Sequence, residues 1–254
     1  MPAKKKFIAA VSILIILWIV TAFVSVFSGI YDADVVETIT GGDALASTIF
    51  YKIRVPRVLM ATLAGGTFAI CGAALQALFR NPLASPFTLG ISGGASLGAI
   101  IAMRTGLAAG VLGFSVVTIF AFLFSLLTML FVYSVSRVGG IVATGRLLLA
   151  GVVMNFLYSA FILFVQFFSN FTESLQTMRW IMGSLDIVGY GELWKTFLFV
   201  LPGCLLLLSM TKEMNLFGLG DDVASSLGVD VKKMERQIYF ATSLSAGAVI
   251  SVTG

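Results

Sequence analysis

Histidine is absent from this 254-residue chain. Without it there is no imidazole general base, no imidazole metal ligand and no histidine-based triad. No G-x-x-x-x-G-K-[ST] string occurs either, so the chain has no phosphate-binding loop of its own. Cysteine is limited to Cys71 and Cys204, which lie far apart and inside apolar runs. They read as small buried packing residues in preference to a disulfide or metal pair. Charged residues make up only 11% of the chain, and no basic stretch is interleaved with aromatics as a nucleic-acid surface would be. An active site is hard to assemble from what remains, and a conduit is easier. The expectation is a non-enzyme without cofactor or metal.

What is abundant is apolar sequence, 59% of all residues. Charge-free runs cover Phe7–Ile30, Val58–Phe79, Asn81–Met103, Thr105–Ser136, Leu147–Thr172, Thr196–Thr211 and Gln237–Gly254. A bilayer crossing takes roughly 20 apolar residues at about 1.5 Å each. Five runs exceed that, one is short, and the last stops with the chain. The fold class expected is all-α, a polytopic membrane bundle of six full transmembrane helices and a truncated seventh. The whole chain, 1–254, reads as a single transmembrane domain. Phe7–Ile30 follows three lysines but is longer than a signal-peptide core and lacks a small-x-small cleavage site before Tyr31, so it reads as a retained helix.

Alternating the loops across the membrane partitions the charges. One side collects ten basic and five acidic residues, the other six basic and seven acidic, giving +5 and −1 within the chain's total of +4. Positive loops stay inside, so the N-terminus is expected in the cytoplasm.

Helices in lipid associate where small residues let backbones approach. Such stripes run along Gly65, Ala69, Ala73 and Ala77, along Gly90, Gly94, Gly98 and Ala102, and along Ser243, Gly247 and Ser251. All three are expected to be packing surfaces. In the fifth run, Asn155, Ser159 and Gln166 share one face of a helix. A polar face is costly against lipid, so it should either bond a neighbouring helix or line a translocation pathway. No Asp, Glu, Lys or Arg sits deep in any run, which argues against an ion-coupled secondary transporter.

Three loops stand out. Leu216–Gln237 carries Asp221 and Asp222 at a helix start, Gly228 at a stop and Asp230 at a second start. Two pieces this short need something to dock on, either the protein's own helix ends or a soluble partner. Lys52, Arg54 and Arg57 lie on the outer side, against the positive-inside trend, where they suit lipid headgroups or an acidic protein surface. Between the second and third runs, Pro82 and Pro86 force an extended segment that must be buried in protein or face water.

Taken in order, Arg54-Val-Pro-Arg57, Gly72-Ala-Ala-Leu-Gln76, Arg80-Asn-Pro-Leu-Ala-Ser-Pro86, Leu89-Gly-Ile-Ser-Gly-Gly-Ala95, Trp180-Ile-Met-Gly-Ser-Leu185 and Gly220-Asp-Asp-Val-Ala-Ser-Ser-Leu-Gly228 resemble the permease subunits of the iron-siderophore, haem and cobalamin family of ABC importers. The resemblance implies a multi-pass protein of the bacterial or archaeal plasma membrane, with about ten helices per subunit and a second permease subunit beside it. It also implies an extracytoplasmic substrate-binding protein and two cytoplasmic ATPase subunits, which carry the ATP. By the same likeness Arg54 and Arg57 would dock the binding protein. Gly220, Asp221, Ala224, Leu227 and Gly228 would form the ATPase coupling loop, and Asn155, Ser159 and Gln166 would line the pathway. The chain departs from the family by stopping inside its seventh run, where further helices are expected. A secondary transporter of a neutral solute and a non-transporting truncated membrane protein are the alternatives.

Overall fold

A computed structural model describes residues 2–27, 44–106, 110, 113–138, 141–142 and 144–254. The acids Asp32, Asp34, Glu37 and Asp43 of the charge partition lie outside the described residues, as does the side chain of Asp221. The described chain is helical: α1 (Pro2–Phe27), α2 (Ala44–Ile49), a π turn (Phe50–Arg54), α3 (Val55–Phe79), α4 (Ile91–Thr105), α5 (Val116–Ser136), α6 (Thr144–Phe167), α7 (Phe171–Met182), α8 (Gly191–Ser209), α9 (Thr211–Phe217), α10 (Asp221–Ser226) and α11 (Val231–Thr253). A two-residue antiparallel pair, β1 (Arg137–Val138) with β2 (Ile141–Val142), separates α5 from α6.

Five stretches among the described residues are long and apolar enough to cross a membrane: Lys4–Phe27, Ala44–Phe79, Val116–Ser136, Gly145–Phe167 and Gly191–Ser209. The remaining two apolar runs become α4 and α11. α11 has 23 residues and is about 34 Å long, with its charges confined to the first turns. α4 has only 15 residues, about 22 Å, because the first ten positions of its run form turns instead of helix. Pro82 and Pro86 explain this, since each removes a backbone donor and pushes the preceding residue out of the α region. The fifth run also divides. α6 ends at Phe167, and a separate α7 begins with a capping box, Asn170 Oδ1 accepting from Glu173 N and Glu173 Oε2 accepting from Asn170 N.

The chain falls into two compact units. In the unit of residues 1–62 and 186–193, Pro56 cannot donate to the Lys52 carbonyl one turn back. Gly189 N–H takes that place, at 2.7 Å. In the unit of residues 63–185 and 194–254, α4 is central, packing against α5, α6 and α11. Leu89, Ile91, Ile100, Val132, Leu147 and Ile238 are fully buried there.

Contacts within this second unit join loops on the same side of the charge partition. Arg104 pairs with Glu173 at 2.7 Å, and the Lys195 ammonium reaches the Gly113 carbonyl. Arg80 meets Phe217 in the other set of loops.

Candidate functional site

The polypeptide between α8 and α11 is built from two short helices held by glycines. Gly220 has φ 122° and Gly228 φ 87°, backbone states that side chains resist. Asp230 Oδ1 accepts from Lys233 N, a helix start as its position after Gly228 suggests, but the helix it opens is the 23-residue α11 and not a second short piece. α10 begins after Gly220 with no side-chain cap. Met214, Phe217 and Ala224 are buried in the same core as Met210, Met234 and Ile238. Leu219 is 67% exposed, Val223 42% and Leu227 58%. The segment therefore has an inner side fastened to its own bundle and an apolar outer side left uncovered. Ala224 belongs to the inner side, so a partner would meet Val223 and Leu227 in its place.

Against this segment lies the end of α3. Arg80 has φ 48°, the positive-φ non-glycine residue among those described. Its guanidinium carbon sits 5.6 Å from the centroid of the Phe217 ring. From Arg80 the chain enters a tightly bonded turn. Asn81 Oδ1 accepts from Leu83 N at 2.9 Å, Gln76 Nε2 donates to the Pro82 carbonyl at 3.0 Å, and Ser85 and Thr88 bond each other. Ala84 and Leu89 are buried, while Leu83 is 78% exposed. The backbone of this irregular turn is thus bonded within the protein, as irregular backbone inside a bilayer would need to be.

Asn155 closes this turn onto α6. Its Nδ2 donates to the Phe87 carbonyl at 2.9 Å, and its Oδ1 lies so close to Gly93 that a Cβ there would sit 2.7 Å away. One turn on, Ser159 is exposed and its hydroxyl donates to the Asn155 carbonyl at 2.8 Å. Gln166 is half-buried. The three share a side of α6 as the spacing requires, yet Asn155 is engaged by protein. The most exposed side of α6 carries Phe156, Phe164 and Phe167, roughly 110° round the helix from the polar stripe. Asn155→Ala should lower stability by about 1 kcal/mol, the usual net worth of one such bond. Chemical unfolding in detergent micelles checks this, with Ser159→Ala expected to be neutral.

Glycines place the other elements around this site. A Cβ on Gly98 would meet the Phe120 carbonyl at 2.5 Å and Phe124 Cβ at 2.8 Å, and one on Gly94 would meet the Phe124 carbonyl at 2.9 Å. Gly90, at φ 82°, abuts the Gly151 carbonyl and Thr128. Gly151 in turn presses on Leu89, whose Cα would lie 2.8 Å from an added Cβ. Ser243, Gly247 and Ser251 of α11 are buried. The α3 stripe differs: Gly65, Ala69 and Ala73 are exposed, and Gly65 has nothing within 4 Å.

Arg54 and Arg57 are both engaged within the chain. Arg54 Nη1 donates to the Val26 and Phe27 carbonyls at 3.3 and 3.4 Å, where a cation suits the negative end of α1. Arg57 Nη2 pairs with Asp186 at 2.8 Å, both side chains being largely exposed.

Arg80, Gly93 and Gly151 carry no site signal in the sequence. Arg80 sits in a recognisable string, but its left-handed backbone does not follow from that string, and the partners of Gly93 and Gly151 lie on other elements. The two cysteines are free and buried, and among the described residues no group of three or more His, Cys, Asp or Glu could hold a metal.

A sequence profile of the FecCD transport family matches residues 13–254. An ABC transporter permease of Bacillus subtilis, itself uncharacterised, is 35% identical over 218 residues, covering 85% of this chain and 62% of the relative. The hemin transport system permease protein of Yersinia pestis is 37% identical over 209 residues, covering 81% and 62%. The cobalamin import system permease protein of Halobacterium salinarum is 35% identical over 217 residues, covering 82% and 55%. The chain thus spans about three-fifths of the length of the curated relatives it matches. A solved metal-chelate type ABC transporter in an inward-facing conformation superposes with a TM-score of 0.75 at 25% identity, covering 95% of this chain and 74% of that one.

Proposed function

Because this chain belongs to the FecCD transport family of ABC permeases, we propose that it is the transmembrane subunit of an ATP-driven importer for a ferric siderophore or related metal chelate. It carries no ATPase. Two cytoplasmic ATPase subunits supply the work, a second permease subunit completes the pathway, and an extracytoplasmic binding protein delivers the chelate. The N-terminus and the 216–237 loop face the cytoplasm of a bacterial or archaeal cell, and the pathway side of α6 bears Asn155, Ser159 and Gln166.

One observation carries this reading: the 211–230 segment is anchored from within by Met214, Phe217 and Ala224 yet offers Leu219, Val223 and Leu227 outward. Exposed apolar side chains on an anchored helix pair suit a soluble partner's groove. When that partner closes on ATP, its displacement would bias the bundle between two states. Delivery from outside would use Arg57, whose ion pair with Asp186 is open to exchange for a carboxylate of the binding protein. Arg54 would support it by fixing the end of α1.

Co-expression with the ATP-binding subunit of the same importer tests this. The two should co-purify, and proteoliposomes containing both and the binding protein should take up one of labelled ferric hydroxamate, haemin or cobalamin in an ATP-dependent manner. Absence of any stable complex with the ATPase contradicts the reading. Arg57→Glu should weaken binding-protein association at least about tenfold without affecting insertion, as expected for a lost charge pair at an interface.

A further inference from the structure

Arg80 links two parts of the protein that are otherwise separate in sequence. On one side its guanidinium lies over the buried ring of Phe217, and its Nη1 would be 3.8 Å from a Cβ on Gly220. On the other it is the first residue of the turn that ends at Gly90, whose Phe87 carbonyl is bonded by Asn155 and whose Leu89 backbone is pressed by Gly151. A cation over an aromatic face is held in place by the ring's quadrupole, so the two move together. The turn itself is stiff, with Leu83 N bonded to Asn81 Oδ1, Ala84 N to the Asn81 carbonyl, Ser85 and Thr88 to each other, and Ala84 and Leu89 buried. Arg80 also holds an αL backbone state that an L side chain adopts at a cost, which glycine would avoid. From that backbone state its guanidinium reaches the face of Phe217.

Resting on the coupling role proposed for 211–230, we infer that Arg80 is the positioning residue that transmits displacement of this segment, through the 80–90 turn, to α6. Movement of α9 and α10 carries Phe217, Phe217 carries the guanidinium, and the stiff turn carries the Phe87 carbonyl that Asn155 grips. α6 then shifts as a body, because Gly151 leaves no slack against Leu89. The stacking needs a cation above a π face, so lysine at position 80 preserves it while glycine does not.

The test uses the full chain in complex with its ATPase, in nanodiscs, with Leu83→Cys as reporter on the exposed tip of the turn. Cys71 and Cys204 are buried and stay silent to a bulky maleimide. In the parent, the non-hydrolysable analogue AMP-PNP should change the alkylation rate of Leu83→Cys at least about threefold, the sign of a shifted two-state equilibrium. Arg80→Gly should retain the ATPase but lose this response. Arg80→Lys should keep it. A response that persists in Arg80→Gly overturns the relay. So does loss of ATPase association in Arg80→Gly, because Arg80 would then hold the docking surface itself. A parent chain that never retains the ATPase contradicts the coupling reading instead.

Discussion

Gly98→Val is expected to abolish recovery of folded protein from the membrane. An added Cβ would stand 2.5 Å from the Phe120 carbonyl and 2.8 and 2.9 Å from two atoms of Phe124. The nearest obstacle is backbone, which has no rotamer to escape into, and valine adds two methyl groups beyond the Cβ. Separating α4 from α5 would undo the most extensive helix pairing among the described residues. Van der Waals contact at small residues is the main attraction between helices in lipid, so nothing else compensates. The cost should be about 3 kcal/mol or more, the upper range for overpacking. Gly66→Ala is the matched control, since nothing lies within 4 Å of its missing Cβ. It should be neutral or stabilising by up to ~1 kcal/mol through helix propensity. Size-exclusion recovery after detergent extraction separates the two outcomes, and equal recovery would contradict the packing account.

The second large effect is expected on association. Val223→Glu combined with Leu227→Glu should leave the fold intact, because both side chains are substantially exposed and changes there stay within about 0.5 kcal/mol. Docked in an apolar groove, two unpaired carboxylates would have to be desolvated. Affinity for the ATP-binding subunit should fall at least about 100-fold, equivalent to ~2.7 kcal/mol. Ala224→Glu is not an equivalent probe. Ala224 is buried against the bundle, and a charge there would unseat the segment before any partner met it. Unchanged binding by the double variant, with normal thermal stability, would remove Val223 and Leu227 from the docking surface.

Much of this fold is legible in the sequence because lipid imposes a single strong rule, the exclusion of charge from long runs. That rule places α1, α3, α6, α8 and α11 to within about six residues at each end, and it places the end of α5 but starts that helix at Thr105 where the structure starts it at Val116. It misplaces the start of α4 by ten residues, since Pro82 and Pro86 are uncharged and do not interrupt an apolar count. It also misses α7, which starts inside the run at the uncharged cap Asn170 and carries its charges, Glu173 and Arg179, beyond it. Helical periodicity correctly groups Asn155, Ser159 and Gln166 on one side of α6. It cannot show that Asn155 grips a carbonyl 68 positions away, a long-range relation fixed only by packing. Small-residue stripes are equally ambiguous: the one through Gly94 and Gly98 is filled by α5, while Gly65, Ala69 and Ala73 on α3 stay uncovered. The coupling segment shows both limits. Its glycines and aspartates announce the short α10 and a helix start at Asp230, but that start opens the 23-residue α11 in place of a second short helix, and only the folded chain separates Ala224, turned inward, from Leu227, turned outward.

The sidedness of 211–230 is the most direct test. Leu219→Cys, at a position 67% exposed, should resist a membrane-impermeant maleimide added to intact cells and react once the membrane is permeabilised. Full labelling from outside intact cells would put the segment on the wrong face for a cytoplasmic ATPase and would contradict the account.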